Sequence, residues 1–134
     1  MVPRLAKRYT IAVDFDGVIH RYDSPWINAH TIPDLPVAGA MNWLSNMIQT
    51  FDIVIFSTRC KTWRGRLAVR RWLRDHSGNF YHESMGHVGV EDIRLSFKKP
   101  PALIYLDDRA IRFQGIFPTK SEIIYMARPW NKPK

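Results

Sequence analysis

Three apolar runs in this chain each end in acidic or hydroxyl residues, and that pattern restricts the fold more than any other feature. Residues 9–15 run Tyr-Thr-Ile-Ala-Val-Asp-Phe and deliver Asp14 and Asp16. Residues 51–56 are followed by Ser57 and Thr58, and residues 101–106 run straight into Asp107 and Asp108. Each run is rich in β-branched and apolar residues with no helical period, which predicts buried strands. Between the first two, Ala38, Met41, Leu44, Met47 and Ile48 recur at three- and four-residue spacing, which predicts an amphipathic helix over 37–50. A second helix is predicted over 61–76, with Ser77-Gly78 as its stop. Strands alternating with helices predict an α/β fold, a Rossmann-like doubly wound parallel sheet with helices on both faces. Ligands of such sheets bind beyond the carboxyl ends of the strands, where the polar residues gather here.

The remaining segments are less regular. Residues 17–36 hold three prolines among polar and aromatic residues and predict a long loop or small flap. Residues 79–98 show no clear period, although a short strand is expected within 92–97, and a short edge strand at 111–113. Thr119 to Glu122 has capping-box spacing ahead of Ile123, Ile124 and Met126, which predicts a terminal helix. At 134 residues, without an internal repeat, the chain is expected to form one domain over 1–134, with loose ends at 1–8 and 130–134. Hydrophobic residues make up 46% of it, enough for a real core, yet no run approaches the roughly 20 residues of a membrane span. Charge without an apolar stretch at residues 1–8 is not a secretory signal, and the lone Cys60 forbids an internal disulfide. A cytoplasmic protein is expected on these grounds.

If the three strands are neighbours, Asp14, Asp16, Asp107 and Asp108 converge on one small volume. Uncompensated, such a cluster repels itself; a divalent cation resolves this, and hard oxygen donors favour Mg²⁺. A carboxylate beside Mg²⁺ can attack a phosphoryl group, and a second one two residues on can move the protons. The hydroxyl and backbone N–H at Ser57 can hold phosphate oxygens. A lysine is wanted to neutralise the phosphorylated carboxylate, and Lys98-Lys99 stands just before the third strand.

These residues resemble the motifs of the haloacid dehalogenase (HAD) superfamily. Asp14-Phe15-Asp16-Gly17-Val18 resembles its first motif, Ile55-Phe56-Ser57-Thr58 its second, Lys99 its third and Leu106-Asp107-Asp108-Arg109 its fourth. They come in the family's order and span residues 9–109. The resemblance implies a capless HAD-like core, similar to small HAD-like proteins of phages and bacteria. It implies Asp14 as nucleophile and Asp16 as general acid/base. Asp14 and Asp107, with the Asp16 main-chain carbonyl, would hold Mg²⁺, and Asp108 would support them. Ser57 would bind the transferring phosphate and Lys99 would stabilise the phospho-enzyme, with Lys98 as the alternative lysine. Thr58 and Arg59 are expected to join Ser57 around the phosphate. The expected activity is that of a Mg²⁺-dependent phosphomonoesterase, its substrate open between a nucleotide, a nucleic-acid end phosphate and other esters. A receiver domain is excluded, because there the lysine follows the acidic residues.

Insertions of about twenty residues at 17–36 and 79–98 are too short for a cap domain. His20, Arg21, Tyr22 and Trp26 are candidate substrate contacts in the first, with a surface His20 and a packing Trp26 as the bland alternatives. The net charge of +8 is concentrated in the predicted helix 61–76, which carries Lys61, Arg64, Arg66, Arg70, Arg71 and Arg74. A solvated basic face is its ordinary meaning; a track for a nucleic-acid backbone is the sharper one. A non-catalytic nucleic-acid or partner-binding module on the same scaffold is therefore the alternative function. Cys60 lacks a partner base and is expected to be inert.

Overall fold

The computed structural model describes residues 8–78, 89–128 and 130. Strand β1 (Thr10–Asp14) lies inside a four-stranded sheet with β2 (Asp52–Phe56), β3 (Arg94–Ser96) and β4 (Ile104–Leu106). The order is β3-β2-β1-β4 and every pairing is parallel. Val13 is level with both Ile55 and Leu106, and Asp14 with Phe56. That register brings the carboxyl ends of β1, β2 and β4 to one edge, so the residues that follow them meet.

Helix α1 (Ala40–Met47) joins β1 to β2, and α2 (Trp63–His76) joins β2 to β3. Both crossovers step the same way across the sheet, and right-handed connections put both helices on one face. The core agrees. Ile11, Val13, Ile53 and Ile55 alternate along β1 and β2 and form one buried cluster with Leu44 of α1 and with Val69, Trp72 and Leu73 of α2. The residues between them, Ala12 and Val54, are buried on the opposite face. From β3 the chain crosses to β4 in only seven residues, including Pro100-Pro101, with no helix between. Helix α3 (Lys120–Met126) follows β4 and contributes no buried residue. Residues 103–126 accordingly leave many large apolar side chains exposed, Ile116 and Phe117 most of all.

Local chemistry explains where the elements depart from the sequence expectations. Helix α1 starts at Ala40 rather than Val37, because Gly39 precedes it at φ 84°, a left-handed conformation outside the helix. The second helix starts at Trp63 because residues 58–61 form a tight 3₁₀ turn and the Thr62 hydroxyl accepts from the Gly65 N–H. Its end at His76 is the expected one. Thr119 and Glu122 form the anticipated capping box. Residues 111–113 form no strand, since no neighbour pairs with them.

Two residues placed in loose ends are tied down. The Arg8 guanidinium pairs with Asp52 at 2.9 Å and donates to the carbonyls of Ile48, Gln49 and Phe51, filling acceptors in the turn between α1 and β2. Trp130 Nε1 donates to the Gly17 carbonyl at 2.7 Å. The rest of those ends, and residues 79–88 of the second insertion, lie outside the described residues. Among the described residues, no helix is long and apolar enough to cross a membrane.

Candidate functional site

The sheet edge holds the predicted residues together. Asp14 ends β1, and Asp107 and Asp108 follow β4 directly. One carboxylate oxygen from each of the three lies within 4.8 Å of the others. Gly17 makes room for Asp108: it adopts φ 87°, which glycine tolerates, and a Cβ there would stand 2.4 Å from Asp108 Oδ2.

The electrostatics of the trio are those of a site short of positive charge. Burial and the facing Asp107 push the Asp14 carboxyl from 3.8 up to about 7, against the Phe15 N–H that bonds it. Asp108 Oδ1 is buried with no hydrogen-bond partner. Lys99 Nζ stands 4.0 Å from Asp107 Oδ2 and lies over the rings of Tyr105 and Phe56. Three close carboxylates and a buried, unpartnered oxygen are a donor set able to hold a hard cation.

Asp16 faces another way. Its carboxylate accepts from Arg59 Nε at 2.9 and 3.2 Å and from His20 Nδ1 at 2.8 Å. Burial tends to raise it, but the hydrogen bonds from His20 and Arg59, with the Arg59 charge, outweigh that and hold it below the usual carboxylate range. Its side chain is not part of the three-carboxylate cluster. The expectation that placed Asp16 at the metal therefore keeps only its main-chain carbonyl.

Arg59, expected at a phosphate, is 1% exposed and committed elsewhere. Besides Asp16, its Nη1 donates to the carbonyls of Asn28, Ala29 and Thr31, and its guanidinium lies 4.5 Å from the Trp26 ring centroid. A buried charge needs such partners, and here they pin the flap of residues 17–36 over Asp16. His20 is neither a surface residue nor a cavity contact. It is fully buried, stacked on Phe15 and edge-on to Trp72. Its Nε2 accepts from the Asp34 N–H at 3.0 Å, so Nδ1 carries the proton that goes to Asp16. No local motif marks the role of Arg59, because its partners lie 28–43 residues away in sequence.

A cavity of about 410 Å³ opens beside the cluster. Asp14, Asp16, Ser57, Thr58 and Lys99 line it, together with Tyr22, Trp26, Phe56, Phe97 and Arg109. Lys98 is not among them, so of the two candidate lysines Lys99 faces the site. Arg109 closes the fourth motif in the sequence but carries no expected role there; its place right after the Asp107-Asp108 pair is the available signal. Ser57 reaches the cavity with its hydroxyl, which caps the following turn by accepting from the Arg59 N–H. Its backbone N–H is not free for a phosphate, because it donates to the Ser96 carbonyl at 2.9 Å.

Half of the Lys and Arg residues of the segment 61–76 are spent on structure. Arg66 donates to the carbonyls of Leu95 and Cys60, Arg70 to those of Val90 and Ile93, and Arg74 pairs with Glu91. These three, one helical turn apart, fasten the chain around β3 to α2 and shorten the expected phosphate track to Lys61, Arg64 and Arg71. Cys60 is buried, and burial raises its thiol despite nearby Arg66 and Arg70. No family model, curated protein or solved structure matches this chain.

Proposed function

We propose that the chain is a Mg²⁺-dependent phosphomonoesterase of HAD type, built on a Rossmann-like core without a cap and working through an aspartyl-phosphate on Asp14. The observation that carries this reading is the meeting of Asp14, Asp107 and Asp108 beside a cavity that also holds Ser57, Thr58 and Lys99. The donor set fits a hard cation: Asp108 Oδ1 is buried and unpartnered, and Asp14 is held near 7 by burial and negative neighbours. Asp14 and Asp107 would hold Mg²⁺ with the Asp16 carbonyl, and Asp108 would complete or support the set. When bound, the ion would offset the charge repulsion between the carboxylates and an incoming phosphate dianion.

The chain's own residues account for the rest. An Asp14 carboxylate oxygen bonds to phosphorus as the ester P–O bond breaks, and the leaving alkoxide takes a proton from Asp16 or from solvent. Water then attacks phosphorus, Asp16 accepts its proton, and the Asp14–phosphate bond breaks to release inorganic phosphate and the free carboxylate. Lys99 and Arg109 offset the charge of the phosphoryl oxygens, and the Ser57 and Thr58 hydroxyls donate to them. Because His20 and Arg59 keep Asp16 ionised, it is better suited to the second step than the first. Esters whose leaving groups need no proton are then turned over fastest.

The test is hydrolysis of an aryl phosphate with and without Mg²⁺, in the native chain and in Asp14→Asn. Mg²⁺-dependent turnover that disappears in the folded variant is expected. Turnover retained by the variant would sink the mechanism. No turnover of any phosphate ester, joined to salt-sensitive nucleic-acid binding, would favour the binding-module alternative.

A further inference from the structure

Part of the lining of the cavity is aromatic. Trp26 enters from the flap and Phe97 from the turn after β3, and they are 47% and 39% exposed. Aromatic rings carry a large share of burial energetics, so two left open in one cavity are surface a planar ligand can cover. Trp26 is also held in place. The buried Arg59 guanidinium backs its ring at 4.5 Å and is itself fixed by Asp16 and three flap carbonyls. One side of the indole is thus occupied by a rigid cation, and the exposed remainder is a flat apolar surface already ordered. On the Phe97 side, Lys61 Nζ stands 5.9 Å from the ring centroid.

Pre-ordered rings beside a phosphate-handling end suit a ligand that carries a planar group and a phosphate together. The volume of about 410 Å³ lies low in the usual 300–1,000 Å³ range of small-molecule sites, and matches one small ligand rather than a duplex. A sugar phosphate would leave both rings without a partner, and so would a phosphorylated serine or threonine side chain.

Resting on the phosphomonoesterase reading, we infer that the cavity takes a nucleotide phosphomonoester, free or at a strand end, with its base against Trp26 and Phe97 and its phosphate toward Asp14 and Lys99. Every base offers a π-face, so this seat tolerates different bases and gains its selectivity over phosphates that lack one.

The experiment compares kcat/KM for adenosine 5′-monophosphate, a 5′-phosphorylated oligothymidylate and ribose 5-phosphate, in the native chain, Trp26→Leu and Phe97→Leu with Mg²⁺. The leaving groups are alike, so differences report the base. Preference for the nucleotide over ribose 5-phosphate is expected, falling by about 5- to 150-fold in each variant, the range that aromatic-base stacking supplies. The ratio of free nucleotide to oligonucleotide identifies the source. Equal rates on nucleotide and ribose 5-phosphate, or a preference unmoved by both variants, would overturn the inference. So would a lower KM for phosphotyrosine than for the nucleotide. If no ester is turned over, the enzymatic reading fails separately, and equilibrium dialysis of labelled adenosine 5′-monophosphate decides the base seat. Binding weakened by Phe97→Leu supports the seat, and absence of binding refutes it. Thermal melts identify any variant that fails to fold, and Phe97→Leu, which leaves the Arg59 contacts intact, keeps the test decisive should Trp26→Leu do so.

Discussion

Replacing Arg59 by Met keeps roughly the bulk of the side chain and removes every polar contact it makes. Two hydrogen bonds to Asp16 and three to flap carbonyls are lost. Asp16 then keeps only His20 as a partner, in a site where burial already opposes its charge. Breaking a buried ion pair on one side costs about 3–5 kcal/mol. The flap carbonyls are near solvent and rehydrate, so they add little. For a chain of 134 residues, at roughly 3–5 °C per kcal/mol, the melting temperature should fall by about 10–20 °C. Urea and thermal denaturation of Arg59→Met, Asp16→Asn and the double variant make a cycle that isolates the pair, and a coupling of about 2 kcal/mol or more is expected. The sign with pH is set by Asp16. Its native carboxyl is depressed, so the pair stabilises fully above about 4 and loses that contribution as pH falls through the lower native value. The deficit of Arg59→Met should therefore be largest at neutral pH and shrink in acid. A loss below about 1 kcal/mol, additive single variants, or a deficit independent of pH would refute the assignment of Arg59 as the clamp over Asp16.

Other consequences are accessible to the same measurements. Asp14→Asn should stabilise the metal-free protein at pH 8, because a carboxyl raised from 3.8 to about 7 weakens the fold once ionised. The full shift would correspond to roughly 4 kcal/mol; solvent screening at a partly open site reduces this to about 1–2 kcal/mol. The gain should vanish near pH 4, and an unchanged melt at pH 8 would contradict the crowding of the trio. Gly17→Ala forces a Cβ into Asp108 and an L-residue into left-handed backbone, costing about 1–2 kcal/mol from the backbone alone. Stabilisation of that variant by Mg²⁺ in thermal melts should be weaker than in the native chain. Arg70→Ala should cost about 1–3 kcal/mol by leaving the Val90 and Ile93 carbonyls unpaired, whereas Arg71→Ala should stay within about 0.5 kcal/mol. Equal losses would show that the arginines of α2 do not divide in this way.

The strands were legible in the sequence to different depths. β1 and β2 read clearly because Ile11 to Val13 and Ile53 to Ile55 are buried on both faces, so no alternation interrupts the apolar run. β4 begins three residues later than expected, since Pro101 cannot donate to a ladder and pairing to β1 starts at Ile104. The meeting of Asp14, Asp107 and Asp108 followed from strand-end placement, which a parallel register preserves. The direction of Asp16 was hidden: His20 lies only four residues on, but Arg59 reaches Asp16 across 43 residues through a tertiary contact that no spacing encodes. Arg66, Arg70 and Arg74 did carry a signal: four-residue spacing puts them on one stripe, and a stripe faces one neighbour. That their neighbour is the backbone around β3 rather than an external polyanion needed the fold.

The proposed mechanism passes through a covalent phosphate on Asp14. Acid quenching of the native chain during turnover of a ³²P-labelled phosphate ester, followed by peptide mapping, reads it directly. Mg²⁺-dependent label on the peptide containing Asp14, stable in acid and removed by hydroxylamine, is expected, and none in Asp14→Asn. Steady turnover with no label at Asp14, or label on another residue, would contradict it.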